Sequence, residues 1–138
     1  MPSLITSKET ERRLRARLVA EGFELNAERS HGQTGPDVCA HRGDEQLCIQ
    51  EIGFKSSPPA RAKDFYESFF PAISRLEDGA TRCVIATPLR FKAGLPARAH
   101  HHSQAWTRIG KAFPELEIWL VDTEAGTYSV SKWAEWLT

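Results

Sequence analysis

No apolar run in the sequence approaches the roughly 18 residues of a membrane span, which argues against a helical membrane protein. The opening stretch, MPSLITSKETERR, has no h-region of a secretory signal, so a cytoplasmic protein is the expectation. Cysteine is scarce. There are three, Cys39, Cys48 and Cys83, an odd number with no CxxC pair, and this argues against a disulfide framework or a zinc site. Each lies in an apolar, strand-like segment, where a free thiol behaves as a small hydrophobe. Net charge is also missing: 18 basic residues balance 18 acidic ones, so the global charge gives no argument for nucleic acid. There is no internal repeat and no low-complexity tract. What is present, 138 residues with 41% hydrophobic and 26% charged, fits one soluble globular domain spanning 1–138 with a core of its own.

One absence is local. From Gly79 to Pro114 there is no Asp or Glu, while Arg82, Arg90, Lys92, Arg98, Arg108 and Lys111 supply six positive charges. Such a block can make a basic face on a neutral chain. The alternative is a solvated surface on which the signs average out after folding.

Local signals divide the chain into elements. Thr6 or Ser7 can cap a first helix, Thr6 with Glu9 as a capping box, and Leu14, Leu18 and Val19 form its apolar stripe before Gly22 ends it. FELNAER reads as a strand, SHGQTG as a loop, PDVCAHR as a second strand, RGDE as a hairpin turn and QLCIQEIGF as a third, buried strand. Ser56 or Ser57 caps a helix that opens on proline and carries Phe65, Phe69, Ala72, Ile73 and Leu76 on one face, with Pro71 as a kink. TRCVIATP is a fourth strand. GLPARAHHHSQAWTRIGKAFP is one long third helix with Leu95, Trp106, Ile109 and Phe113 as buried positions. LEIWLVD is a fifth strand, and YSVSKWAEWLT adds a short strand and a small helix packed through Trp133, Trp136 and Leu137. The order α-β-β-β-α-β-α-β, then this tail, implies an α/β fold with a mixed central sheet flanked by helices.

The chemistry centres on LCIQEIGFK, residues 47–55. Glu51 stands within an apolar strand, where desolvating a carboxylate is costly unless something pairs with it or binds it. Strand alternation puts Glu51, Gly53 and Lys55 on one face. A hairpin about Asp44 sets Asp37 opposite about residue 51, so two carboxylates and one ammonium can share a site. Two close carboxylates need a cation, and hard oxygen ligands suit Mg2+ or Mn2+, which also binds substrate phosphates. Lys55 is placed to orient water or stabilise a pentavalent oxyanion.

GPDV…IQEIGFK in an α-β-β-β-α-β order resembles the PD-(D/E)xK nuclease-like superfamily, the restriction-endonuclease-like fold, over residues 8–122. The resemblance implies Mg2+-dependent phosphodiester hydrolysis of nucleic acid. It implies Asp37, Glu51 and the backbone carbonyl of Ile52 as metal ligands, with Asp37, Glu51 and Lys55 catalytic. The family lysine falls on Gly53; Lys55 is the nearest replacement and Lys63 a second candidate. An acid on the first helix, common in the family, would be Glu9 or Glu11. Lys55, Arg61, Lys63, Arg90, Lys92 and Arg98 are the expected nucleic-acid contacts, with DNA ranked ahead of RNA. A domain this small needs a second subunit to hold a duplex, so a homodimer is the expected assembly.

Simpler readings stand beside these. Asp37 after proline is ordinary turn chemistry, Glu51 can pair with Lys55 or Arg61, and Lys55 can be a surface lysine. Lys55, Arg61 and Lys63 cluster near a helix start, which attracts phosphate through free N–H groups or is simply capped. His100, His101 and His102 diverge on a helix and cannot grip one ion. The four tryptophans read as core or interface. An inactive nucleic-acid-binding or interaction module on the same fold is the rival to the nuclease, favoured by Gly53. A small-molecule binder that takes a phosphate at the SSPPARAK helix start is a second.

Overall fold

The computed structural model describes residues 7–26 and 38–137. Asp37, the cap residue Thr6 and the SHGQTG loop lie outside the described residues.

A first helix, α1 (Ser7–Ala20), precedes three antiparallel strands, β1 (Glu24–Leu25), β2 (Val38–Arg42) and β3 (Glu45–Glu51). Helix α2 (Pro58–Ile73) carries the chain to β4 (Arg82–Pro88), parallel to β3. Two shorter helices, α3 (Leu95–His101) and α4 (Ser103–Ala112), then lead to β5 (Leu116–Asp122), parallel to β4. A hairpin adds β6 (Thr127–Lys132), antiparallel to β5. The six strands form one mixed sheet in the order β1-β2-β3-β4-β5-β6. The α/β class and the mixed, helix-flanked sheet are as the sequence implies.

Strand alternation builds the core. Leu47 and Ile49 of β3, Val84 and Ala86 of β4, and Trp119 and Val121 of β5 face α1, against Leu14 and Leu18. Cys48, Cys83, Ile85, Ile118 and Leu120 face the other way, against Phe65, Ala72, Leu95, Ala99 and Trp106. The strands β4 and β5 are covered on both faces, which is why RCVIATP and LEIWLVD are nearly continuous apolar runs. The parallel order advances in one direction, and right-handed crossovers in such a sheet return on a single face. Helices α2, α3 and α4 accordingly share one side and leave the other to α1.

Turn chemistry fits the sequence. Gly43, at φ 57°, takes the first position of the two-residue turn between Arg42 and Glu45, where the tight hairpin needs a positive φ. The Ser57 hydroxyl accepts the Ala60 N–H at 3.2 Å and caps α2, which runs through Pro71 to Ile73.

Four expectations need correcting. The strand β3 ends at Glu51 rather than reaching Phe54, because only single pairings continue beyond it. The long third helix is two helices that break at His102, whose φ of −116° and ψ of 41° are not helical. No side-chain cap marks that break, so the residue pattern gives no warning of it. The C-terminal helix is a 3-10 turn, Trp133–Leu137. Val19, placed on the apolar stripe of α1, is exposed, since it points away from the face on which Thr10, Leu14 and Leu18 are buried.

Candidate functional site

The parallel strands β3, β4 and β5 all end at the same edge of the sheet, and open α/β sheets hold their ligands outside such carboxyl ends. Glu51 is the last residue of β3. It pairs in register with Ala86 and is only 7% exposed. Alternation places it with Leu47 and Ile49 on the face of α1. The Ile52 N–H extends the ladder to the Ala86 carbonyl at 2.9 Å, and the Ile52 side chain enters the core on the opposite face.

The chain then leaves the sheet, and the predicted alignment of Glu51, Gly53 and Lys55 goes with it: alternation holds only as far as the strand does. The Lys55 ammonium lies 3.1 Å from both carboxylate oxygens of Asp64 on α2, with its side chain 61% exposed. Arg61 does not turn to Glu51 either. Its Nη1 donates to the Lys55 and Ser56 carbonyls at 2.7 and 3.1 Å. Lys63 is an exposed residue near Glu67, at 3.8 Å, and Lys92 is exposed. On the first helix, Glu11 is tied to Arg15 at 2.8 Å.

Three of the expected nucleic-acid contacts do come together. Arg61, Arg90 and Arg98 line a cavity of about 200 Å3 with Phe54, Pro58 and Phe91. It forms where the segment after β3 meets the 3-10 turn Leu89–Gly94 after β4. The guanidinium carbons of Arg61 and Arg90 lie 4.4 and 5.9 Å from the centre of the Phe54 ring, and that of Arg98 lies 4.9 Å from Phe91. The two rings meet edge to face at 6.3 Å. The start of α2 adds no free N–H groups: Pro58 and Pro59 have none, and Ser57 takes that of Ala60. The reading of that helix start as a bare phosphate cradle is therefore replaced by one in which side chains do the binding.

The rest of the basic block disperses. Arg82 is withdrawn into the sheet. Its Nε and Nη2 hold Glu117 at 2.8 Å each and its Nη1 reaches Glu45 at 2.9 Å, so it cannot follow a nucleic-acid backbone. Arg108 and Lys111 stand on the exposed face of α4 beside Ser103, Gln104 and Thr107. His100, His101 and His102 are exposed around the α3–α4 break, with His102 edge-on to Tyr66.

Two features escaped the sequence reading. Glu117, 2% exposed, is a second carboxylate inside an apolar strand, and the same signal that singled out Glu51 marks it. Burial pushes its carboxyl up, but the Arg82 and Trp119 hydrogen bonds and the charges of Arg82 and Lys132 outweigh this and hold it below the ordinary value. It is a structural group at the end of the sheet away from Glu51. The second feature is the alignment of the cysteines. Cys39 pairs with Cys48 and Cys48 with Cys83 across β2, β3 and β4, and the first two sulfurs are 3.5 Å apart.

Among the described residues no group of three or more His, Cys, Asp or Glu side chains could hold a metal ion. Glu51 and the Ile52 carbonyl are hard oxygen donors of the kind Mg2+ takes, and Mg2+ needs only one or two protein carboxylates beside water and substrate phosphate. Among the described residues no helix is long and apolar enough to cross a membrane. No family model matches the chain, and no match is found to a curated protein or to a solved structure.

Proposed function

We propose that the chain is a Mg2+-dependent nuclease of the PD-(D/E)xK, restriction-endonuclease-like kind, hydrolysing phosphodiester bonds in nucleic acid, with DNA preferred. One observation carries the reading: a nearly buried carboxylate, Glu51, closes β3 at the carboxyl end of the parallel strands, three residues before Phe54 and its arginine-lined cavity. The course of the chain supports it, a helix and a three-strand meander followed by a helical crossover to a parallel fourth strand.

Glu51, Asp37 and the Ile52 carbonyl would hold the metal, which when bound supplies charge neutralisation and a more acidic water. Glu51 is fixed by its place at the end of a paired strand, so its carboxylate costs little to orient. Lys55, held by Asp64 at the mouth of α2, neutralises phosphate charge. Arg61, Arg90 and Arg98 position the strand, and a second copy of the chain grips the other strand of a duplex.

A cleavage assay with Mg2+ and Mn2+ on single- and double-stranded DNA and RNA tests this. The wild type cuts at least one substrate. Glu51→Ala lowers the rate by more than the roughly 10–100-fold typical of losing an outer-shell metal partner. Lys55→Ala lowers the rate and, by removing a phosphate contact, also weakens substrate binding. Full cleavage by Glu51→Ala removes the proposed site. The second reading, a binding module without activity, rests on Gly53 at the motif position and on the engagement of Lys55 by Asp64. DNA binding without cleavage of any substrate decides for it.

A further inference from the structure

The cavity between Phe54 and Phe91 has features that binding along a nucleic-acid backbone does not require. Among the described residues three arginines line it and no carboxylate does. At about 200 Å3 it is smaller than the roughly 300–1,000 Å3 of sites that enclose a whole small molecule, so it suits a chain end or a headgroup. Each guanidinium carbon lies over a ring, within cation–π reach.

Arg98 is the least satisfied of them. Its Nε is buried with no hydrogen-bond partner among the described residues, and its Nη1 has only a long contact, 3.4 Å, to the Gly94 carbonyl. Gly94 makes room for it. A Cβ at position 94 would lie 2.9 Å from the Arg98 Nη1, while the backbone there has an ordinary φ of −92°. Glycine at this position leaves the space that the guanidinium occupies, while its own conformation is ordinary.

We propose that this cavity binds the terminal phosphate monoester of a nucleic-acid strand. A monoester carries up to two negative charges and three strong acceptor oxygens, which three arginine forks match, whereas an internal diester carries one charge. The inference rests on the nucleic-acid part of the proposed function and not on catalysis.

The test is binding in EDTA, so that no cleavage occurs. Fluorescence anisotropy compares one labelled oligonucleotide with a 5′-phosphate, a 3′-phosphate or hydroxyls at both ends. One phosphorylated form binds about tenfold or more tightly than the unphosphorylated strand, a difference of about 1.4 kcal/mol, and inorganic phosphate competes the difference away. Arg98→Gln removes the preference. Gly94→Ala, which keeps every charge but displaces the Arg98 guanidinium, removes it as well; thermal melting confirms that both variants fold. Equal affinity for all three strands overturns the proposal. Retention of the preference by Gly94→Ala and Arg98→Gln also overturns it. A mononucleotide that binds as tightly as the phosphorylated strand overturns the assignment to a strand end and points to a free nucleotide. End preference without cleavage leaves this inference standing while the nuclease reading fails, and cleavage without end preference does the reverse.

Discussion

At the scale of single residues, the cysteines show how position alone separates chemically identical groups. Cys39 is partly exposed, and its sulfur shares a hydrogen bond with that of Cys48, 3.5 Å away. That hydrogen bond lowers the Cys39 pKa to about 7, against burial, which raises it. Cys48 is pushed up by the same bond and by burial, and burial raises Cys83 to about 11. Only the thiolate attacks an alkylating agent. Alkylation of native protein by iodoacetamide, read by mass spectrometry, should therefore fall on Cys39 first. Its rate should climb as pH rises through about 7, below the ~8.5 of an ordinary thiol. Cys48 and Cys83 should react only after unfolding. The two carboxylates in apolar strands sit at opposite ends of the sheet: Glu117 is held by Arg82, Trp119 and Lys132 at one, and Glu51 closes β3 at the other.

At the scale of elements, Arg82 acts as a clasp across the sheet. From β4 it holds Glu45 of β3 and Glu117 of β5, and Lys132 of β6 reaches Glu117 at 3.3 Å. Removing one member of a buried pair strands the other and costs about 3–5 kcal/mol. Arg82 keeps Glu45 and a side-chain exposure of 26%, so it is not stranded and Glu117→Gln should cost less, about 1–3 kcal/mol, by urea denaturation. The folded Glu117 carboxyl lies below its unfolded value. Its stabilising effect is thus complete above the unfolded pKa of about 4.3 and is lost as pH falls through the folded one. The melting temperature of the wild type should drop across that acid range more than that of Glu117→Gln does.

At the scale of the whole molecule, the C-terminal turn is part of the core. The Trp133 and Trp106 rings stack at 3.9 Å, and each indole N–H donates to the other residue's carbonyl, at 3.0 and 2.7 Å. Phe65 of α2 stacks on both rings. One aromatic block thus joins α2, α4 and the chain end on the crossover face of the sheet. Trp133→Ala should cost about 3–5 kcal/mol, as other buried tryptophan truncations do, and should unfold in a single transition by both circular dichroism and intrinsic fluorescence. Loss of the C-terminal turn alone, with the rest of the molecule as stable as before, would contradict this.

The sequence by itself determined the α/β class, most strands and helices, and the oddity of Glu51, because alternation, caps and turn residues act between near neighbours. It also named Arg61, Arg90 and Arg98, since charge is visible residue by residue. It could not show that Phe54 and Phe91 bring those three around one cavity, nor that Arg82 is withdrawn by Glu117, 35 residues away. The line of cysteines depends on strand register in the same way. The end of β3 at Glu51, which sends Lys55 to Asp64, was decided by where strand pairing stops. Each of these is a contact between distant segments, fixed only when the sheet's register and the crossovers over it are in place.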